Sequence, residues 1–214
     1  MGSSIREILV GHPVIPVVTI DDEDKIVPVG EALLEAGIGV IEITLRTDAS
    51  LNAIARVSTS LPELVAGAGT VTNVQAITKA KDAGSRFLVT PGLTENLLKA
   101  IAESGLPCLP GISTAGDIMR GQEAGLDTFK FFPAEAAGGI AKLRALAAPF
   151  GDARFCPTGG ISIDNMTTYL SLDCVFSVGG TWIAPTDLIA AGAWADITRL
   201  AKEALAQASG SPTV

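Results

Sequence analysis

The chain has 214 residues, 48% hydrophobic and 18% charged, with 23 glycines, which suits one large globular domain over 1–214 and excludes a disordered or low-complexity chain. Its formal net charge of −8 argues against a nucleic-acid or anionic-membrane surface but leaves room for a local positive pocket that holds a small anion. Cys108, Cys156 and Cys174 are odd in number, widely spaced and set in apolar runs, which reads as reduced core thiols in a cytoplasmic protein rather than a disulfide framework.

In chain order, a disordered start over 1–4 and a short helix over 5–10 lead through Gly11-His12-Pro13 into a first strand over 14–20. The acidic run 21–24 reads as a solvated loop before a helix that Gly37 ends. A strand over 40–46 follows, with Ile41, Ile43 and Leu45 on one face and Glu42, Thr44 and Arg46 on the other. The alternation continues with a helix to about 60, strand 64–70, helix 73–83, strand 87–91, a helix capped by Thr94, and strand 107–112. A helix after Ser113-Thr114, a strand over 127–134, an alanine-rich helix to about 148, strand 154–158, a helix over 164–170 and a last strand over 174–178 complete it. The closing helix places Ile197, Leu200, Ala201, Ala204 and Leu205 on one stripe, and 208–214 reads as a frayed tail.

Eight strands, each followed by a helix at intervals of about 20 to 26 residues, predict a closed (β/α)8 TIM barrel with a short N-terminal helix. An open doubly wound sheet competes, but the first glycine-rich turn lacks the GxGxxG pattern. No leader peptide is expected, and no apolar run of about 18 residues is present to span a bilayer. With one histidine, His12, and no cysteine pair at ligand spacing, no metal site and no cofactor are expected.

The strand over 127–134 sets a single lysine inside an aromatic run. With strand periodicity, Thr128, Lys130 and Phe132 share one face while Phe129 and Phe131 point to the other. A low dielectric disfavours an ammonium relative to the neutral amine, and a neutral amine attacks carbonyls. The alternative is a strand-end lysine whose head reaches water. In a barrel frame Glu42, Arg46, Thr70 and Lys130 converge at the strands' C-terminal ends. Arg46 offers a donor fork to a carboxylate with the Thr70 hydroxyl beside it, or else forms a salt bridge with Glu42. Glu42 is placed to transfer protons, or else to serve as a counter-ion.

Two glycine turns, Pro157-Thr158-Gly159-Gly160 and Val178-Gly179-Gly180-Thr181, end the seventh and eighth strands. Either alone is an ordinary βα connection, but together at those strands they read as a phosphate cradle.

The runs Ile41-Glu42-Ile43-Thr44-Leu45-Arg46-Thr47, Gly67-Ala-Gly-Thr70, Pro110-Gly-Ile-Ser-Thr114, Phe129-Lys130-Phe131-Phe132-Pro133-Ala134-Glu135 and Phe155-Cys-Pro-Thr-Gly-Gly160 closely resemble the 2-keto-3-deoxy-6-phosphogluconate (KDPG) aldolases. The resemblance runs from about Val14 to Ala204. It implies a cytoplasmic homotrimeric class I aldolase, free of metal and cofactor, acting on a phosphorylated 2-keto acid in the Entner–Doudoroff pathway. Lys130 would form the Schiff base and Glu42 would be the acid/base. Arg46 and Thr70 would hold the pyruvate carboxylate, with Thr158 and Phe132 lining the same end. Gly159, Gly160, Gly180 and Thr181 would bind phosphate, with threonine at 181 where some relatives carry serine. Cleavage of 4-hydroxy-2-oxoglutarate (KHG) or of the galactose-series acid competes through the same residues. A non-catalytic phosphate-binding barrel is a third reading, which the joint presence of Lys130 and Glu42 disfavours.

Overall fold

A computed structural model describes residues 4–210. Its strands are β1 (Val14–Val18), β2 (Val40–Thr44), β3 (Val65–Gly69), β4 (Phe87–Val89), β5 (Cys108–Leu109), β6 (Gly111–Ile112), β7 (Thr128–Phe131), β8 (Arg154–Pro157) and β9 (Val178–Gly180). The helices are α1 (Ile5–Leu9), α2 (Ile26–Ala36), α3 (Ser50–Ser60), α4 (Val74–Asp82), α5 (Glu95–Ser104), α6 (Ala115–Glu123), α7 (Gly139–Ala147), α8 (Met166–Leu170), α9 (Thr186–Ala191) and α10 (Trp194–Ser209). All strand pairs are parallel, in a six-stranded sheet ordered β5-β4-β3-β2-β1-β9 and a three-stranded sheet ordered β6-β7-β8.

Valine and isoleucine dominate β1 and β2, and every residue of both is buried. Burial on both faces is what a parallel sheet covered by helices demands. The helices obey the expected stops: Thr94 caps α5 through Leu97 N–H, and Gly105 ends it in the left-handed region at φ 73°. Leu97, Leu98 and Ile101 are its buried face. On α10 the buried stripe holds Ile197, Ala201 and Ala204 as expected, and adds Thr198, whose hydroxyl donates to Ala32 O at 3.0 Å.

Four features depart from the sequence reading. The fifth strand is divided at Pro110, where one half pairs with β4 and the other with β7; proline has no N–H to continue a ladder. The last strand is Val178–Gly180, paired with β1, rather than 174–178. Val175 makes only a single bridge, to Phe155. An additional helix, α9, precedes the closing one. Finally, α10 persists to Ser209, with Ala208 buried, and Ser4 caps α1 through Glu7 N–H. The remaining parts of the expected tails, 1–3 and 211–214, lie outside the described residues.

Candidate active site

Lys130 sits in the middle of β7, in register with Gly111 on one side and Cys156 on the other. Phe129 and Phe131, fully buried on the opposite face, anchor the strand, with the Phe129 ring 6.2 Å from that of Phe155. The lysine is 6% exposed, so its head does not reach bulk water, which overturns the solvent-directed alternative.

The lysine is instead held by Glu42, itself 3% exposed. Nζ stands 3.0 Å from Oε1 and 3.2 Å from Oε2, so both carboxylate oxygens accept from one ammonium. The pair bridges β2 and β7, 88 residues apart in sequence. Taking two charges from water is costly, and only close, well-formed pairing offsets that cost. The Phe132 ring lies 5.4 Å from Nζ and adds its face to the cation's surroundings.

Glycines make this crossing possible. Gly67 and Gly69 of β3 share the Glu42 face by strand periodicity. A Cβ at Gly69 would lie 2.3 Å from Glu42 Oε1, and one at Gly67 would lie 2.3 Å from the Phe87 ring. The sequence reading assigned no role to Gly69. Its signal was available, because small residues at period two announce a large neighbour across the sheet.

Arg46 and Thr70 follow β2 and β3 and meet as expected, with Arg46 Nε donating to Thr70 Oγ1 at 3.3 Å. Among the described residues Arg46 has no carboxylate partner, so the expected alternative of an Arg46–Glu42 bridge is not formed. Thr70 is the one non-glycine residue with positive φ among those described, at 60°. A β-branched side chain there costs roughly 1–3 kcal/mol, a strain concentrated at functional sites.

Thr158 is buried just beyond β8, its hydroxyl 3.4 Å from Cys156 O and 4.0 Å from Cys156 Sγ. Burial pushes the Cys156 thiol up to about 12, against the opposing pull of Lys130. It therefore stays a neutral thiol. A Cβ at Gly179 would lie 2.5 Å from Thr158 Oγ1, so the two glycine turns are packed against each other. The bridge Thr158–Gly179 joins them directly.

Within these turns Gly159 and Gly160 take φ values of 97° and 81°, which glycine alone adopts readily. Gly159 borders Phe132, with its missing Cβ 3.3 Å from the ring. Gly180 is buried in β9, paired with Pro16, and Thr181 follows it in the open. A cavity of about 580 Å³ between α5 and α6 opens at the opposite, N-terminal ends of β5 and β7 and includes none of these groups.

A buried lysine in direct contact with a buried glutamate is a pair that imine chemistry on a 2-keto acid can use. Residues 5–200 match the family model described as KDPG and KHG aldolase. A 2-dehydro-3-deoxy-phosphogluconate aldolase of Dickeya dadantii is 47% identical over 97% of this chain and 97% of its own. The KHG/KDPG aldolase of Escherichia coli is 46% identical over 95% of each. Among solved structures, KDPG aldolase from Legionella pneumophila, with pyruvate captured as a covalent carbinolamine intermediate, superposes with a TM-score of 0.89 at 40% identity, covering 92% of this chain and 95% of that one. Agreement over nearly the whole chain, in sequence and in backbone, means that this protein belongs to the KDPG and KHG aldolase family.

Proposed function

We propose that this protein is a class I aldolase that cleaves 2-dehydro-3-deoxy-6-phosphogluconate to pyruvate and glyceraldehyde 3-phosphate. The observation that carries the reading is the buried Lys130–Glu42 pair, in which nucleophile and proton acceptor are already in contact.

In the mechanism, Glu42 takes a proton from the Lys130 ammonium across their 3.0 Å contact. The freed amine attacks the C2 carbonyl. Glu42 then returns the proton to the carbinolamine oxygen, which leaves as water and gives a protonated imine, the electron sink for bond cleavage. As a carboxylate again, Glu42 removes the C4 hydroxyl proton, directly or through one water. The C3–C4 bond breaks, the aldehyde leaves and an enamine remains. Protonation of that enamine and hydrolysis of the imine release pyruvate and restore Lys130. Arg46 and Thr70 hold the substrate carboxylate, while Thr158 and Phe132 line the same end. The segment at Gly159 and Gly160, together with Gly180 and Thr181, receives the phosphate.

Cleavage of 4-hydroxy-2-oxoglutarate is a second reading, favoured by the double name of the E. coli relative. Pyruvate release, followed by a coupled assay on each candidate substrate, tests both. Turnover confined to the oxoglutarate would reverse their order.

The reading includes one closed (β/α)8 domain. It is supported by the continuity of β5 and β6 through Pro110, and by the bridges from Phe155 to Val175 and from Thr158 to Gly179 of β9, which bring the β8 end of one sheet to the β9 end of the other. It also includes a homotrimer, which the family resemblance implies, and a cytoplasmic setting, supported by three free cysteines. Among the described residues no helix is long and apolar enough to cross a membrane.

A further inference from the structure

The turn after β8 is pulled from one side by three hydrogen bonds. Thr158 O accepts from Ala134 N–H at 2.8 Å, and Gly159 O from Glu135 N–H at 3.0 Å. Gly160 O accepts from the Asn165 side-chain amide at 3.0 Å. These peptides are trans, and a trans peptide points its N–H opposite to its carbonyl. The N–H groups of Gly159, Gly160 and Ile161 therefore face away from the residues that grip the carbonyls. The Gly159 N–H turns toward β9, where Thr158 bridges to Gly179. Those of Gly160 and Ile161 donate to no protein acceptor among the described residues.

The first two carbonyls are held by backbone that any sequence supplies. The third depends on one side chain. Asn165 Oδ1 accepts from Ser162 N–H at 2.9 Å, which fixes the amide so that its NH₂ group can only face Gly160 O. No other hydrogen bond to the 160–161 peptide forms among the described residues, and Gly160 at φ 81° is free of the steric limits that would fix the peptide plane of another residue, although the Ile161 side chain is buried.

We infer that Asn165 is a positioning residue for the phosphate end of the substrate: by holding Gly160 O it aims the Ile161 N–H, a donor beyond the glycines themselves, at the anion. This rests on the phosphate reading of the two turns. Asn165 does not touch the reacting carbons, so its effect is confined to the charged end.

Two variants test it. Asn165→Ala removes both bonds. Asn165→Asp keeps the acceptor for Ser162 N–H, and with it the loop, but loses the donor to Gly160 O. Both are assayed on the 6-phosphorylated substrate and on 2-dehydro-3-deoxygluconate, its unphosphorylated counterpart, alongside borohydride trapping of pyruvate. Each variant should lose about 10- to 100-fold in kcat/KM on the phosphorylated compound, mostly through KM, with about twofold or less change on the other. Trapping on Lys130 should proceed as in the unmodified enzyme. Equal losses on both substrates, with slower trapping, would mark Asn165 as a general loop support and overturn the inference. Full retention of the phosphate preference in both variants would overturn it alone and leave the cradle standing. An unmodified enzyme with no preference would remove the cradle, and this inference with it.

Discussion

Lys130 Nζ lies 3.0 and 3.2 Å from the two oxygens of Glu42, with both side chains almost wholly out of water. In the mechanism proposed above, one proton passes across this contact in both directions. Bringing an amine and its base together in advance replaces an encounter in solution with a transfer inside one hydrogen bond.

Borohydride added with pyruvate should inactivate the enzyme by reducing an imine on Lys130, located by peptide mapping. Lys130→Met should lose nearly all turnover, since Cys156 is held as a thiol and no other lysine is buried among the described residues. Label on a different lysine would remove Lys130 from the mechanism.

Replacing Glu42 with Gln keeps the shape but leaves the Lys130 ammonium facing a neutral amide. Turnover should fall by roughly 10²- to 10⁴-fold. Stability should fall too, by about 3–5 kcal/mol where a buried charge is left uncompensated, measured as a shift in denaturant midpoint. Turnover that stayed intact while stability dropped would make Glu42 a counter-ion only.

That Glu42 and Lys130 face the interior was legible because strand periodicity assigns faces without any knowledge of the partner strand; Arg46 and Thr70 lie beyond the ends of β2 and β3, where that periodicity no longer applies, and Arg46 is exposed. What periodicity cannot give is who meets whom. The pairing resolved into Glu42 with Lys130 and Arg46 with Thr70, a choice made by the reach of side chains across three strands. The division of the fifth strand at Pro110 turned on which neighbour each half pairs with, and the extent of the last strand turned on its ladder with β1. Asn165 carried no visible signal, because its partner is a carbonyl five residues away whose direction depends on two left-handed glycines.

Gly69→Ala tests the space that lets Glu42 cross to β7. The added Cβ would meet Glu42 Oε1 at 2.3 Å and Cγ at 2.7 Å, so the carboxylate must move off Nζ. Turnover should fall about 10²-fold, as expected for misplacement of about 1 Å, with a stability loss of roughly 1–3 kcal/mol from overpacking. Steady-state kinetics together with thermal melting check it, and an alanine variant with unchanged kcat would show that the pair has slack.

The two glycine turns separate the phosphorylated sugar acid from 4-hydroxy-2-oxoglutarate. Hydrogen bonds to a charged group contribute about 1.5–3 kcal/mol each, so two backbone contacts to phosphate correspond to roughly 10²- to 10⁴-fold in kcat/KM over the unphosphorylated analogue. Gly160→Val attacks that preference twice. Its φ of 81° is hostile to a β-branched residue, and its Cβ would stand 2.7 Å from Glu135 Cβ and Cγ. The turn must shift away from Glu135, whose N–H grips Gly159 O and whose carboxylate accepts from the Tyr169 hydroxyl. Most of the phosphate preference should be lost, whereas the unphosphorylated compound should change much less, because Lys130, Glu42 and Arg46 act at its other end. Comparing kcat/KM on the two compounds, in variant and unmodified enzyme, decides the matter. Equal values for both in the unmodified enzyme would discard the phosphate cradle and put the oxoglutarate first.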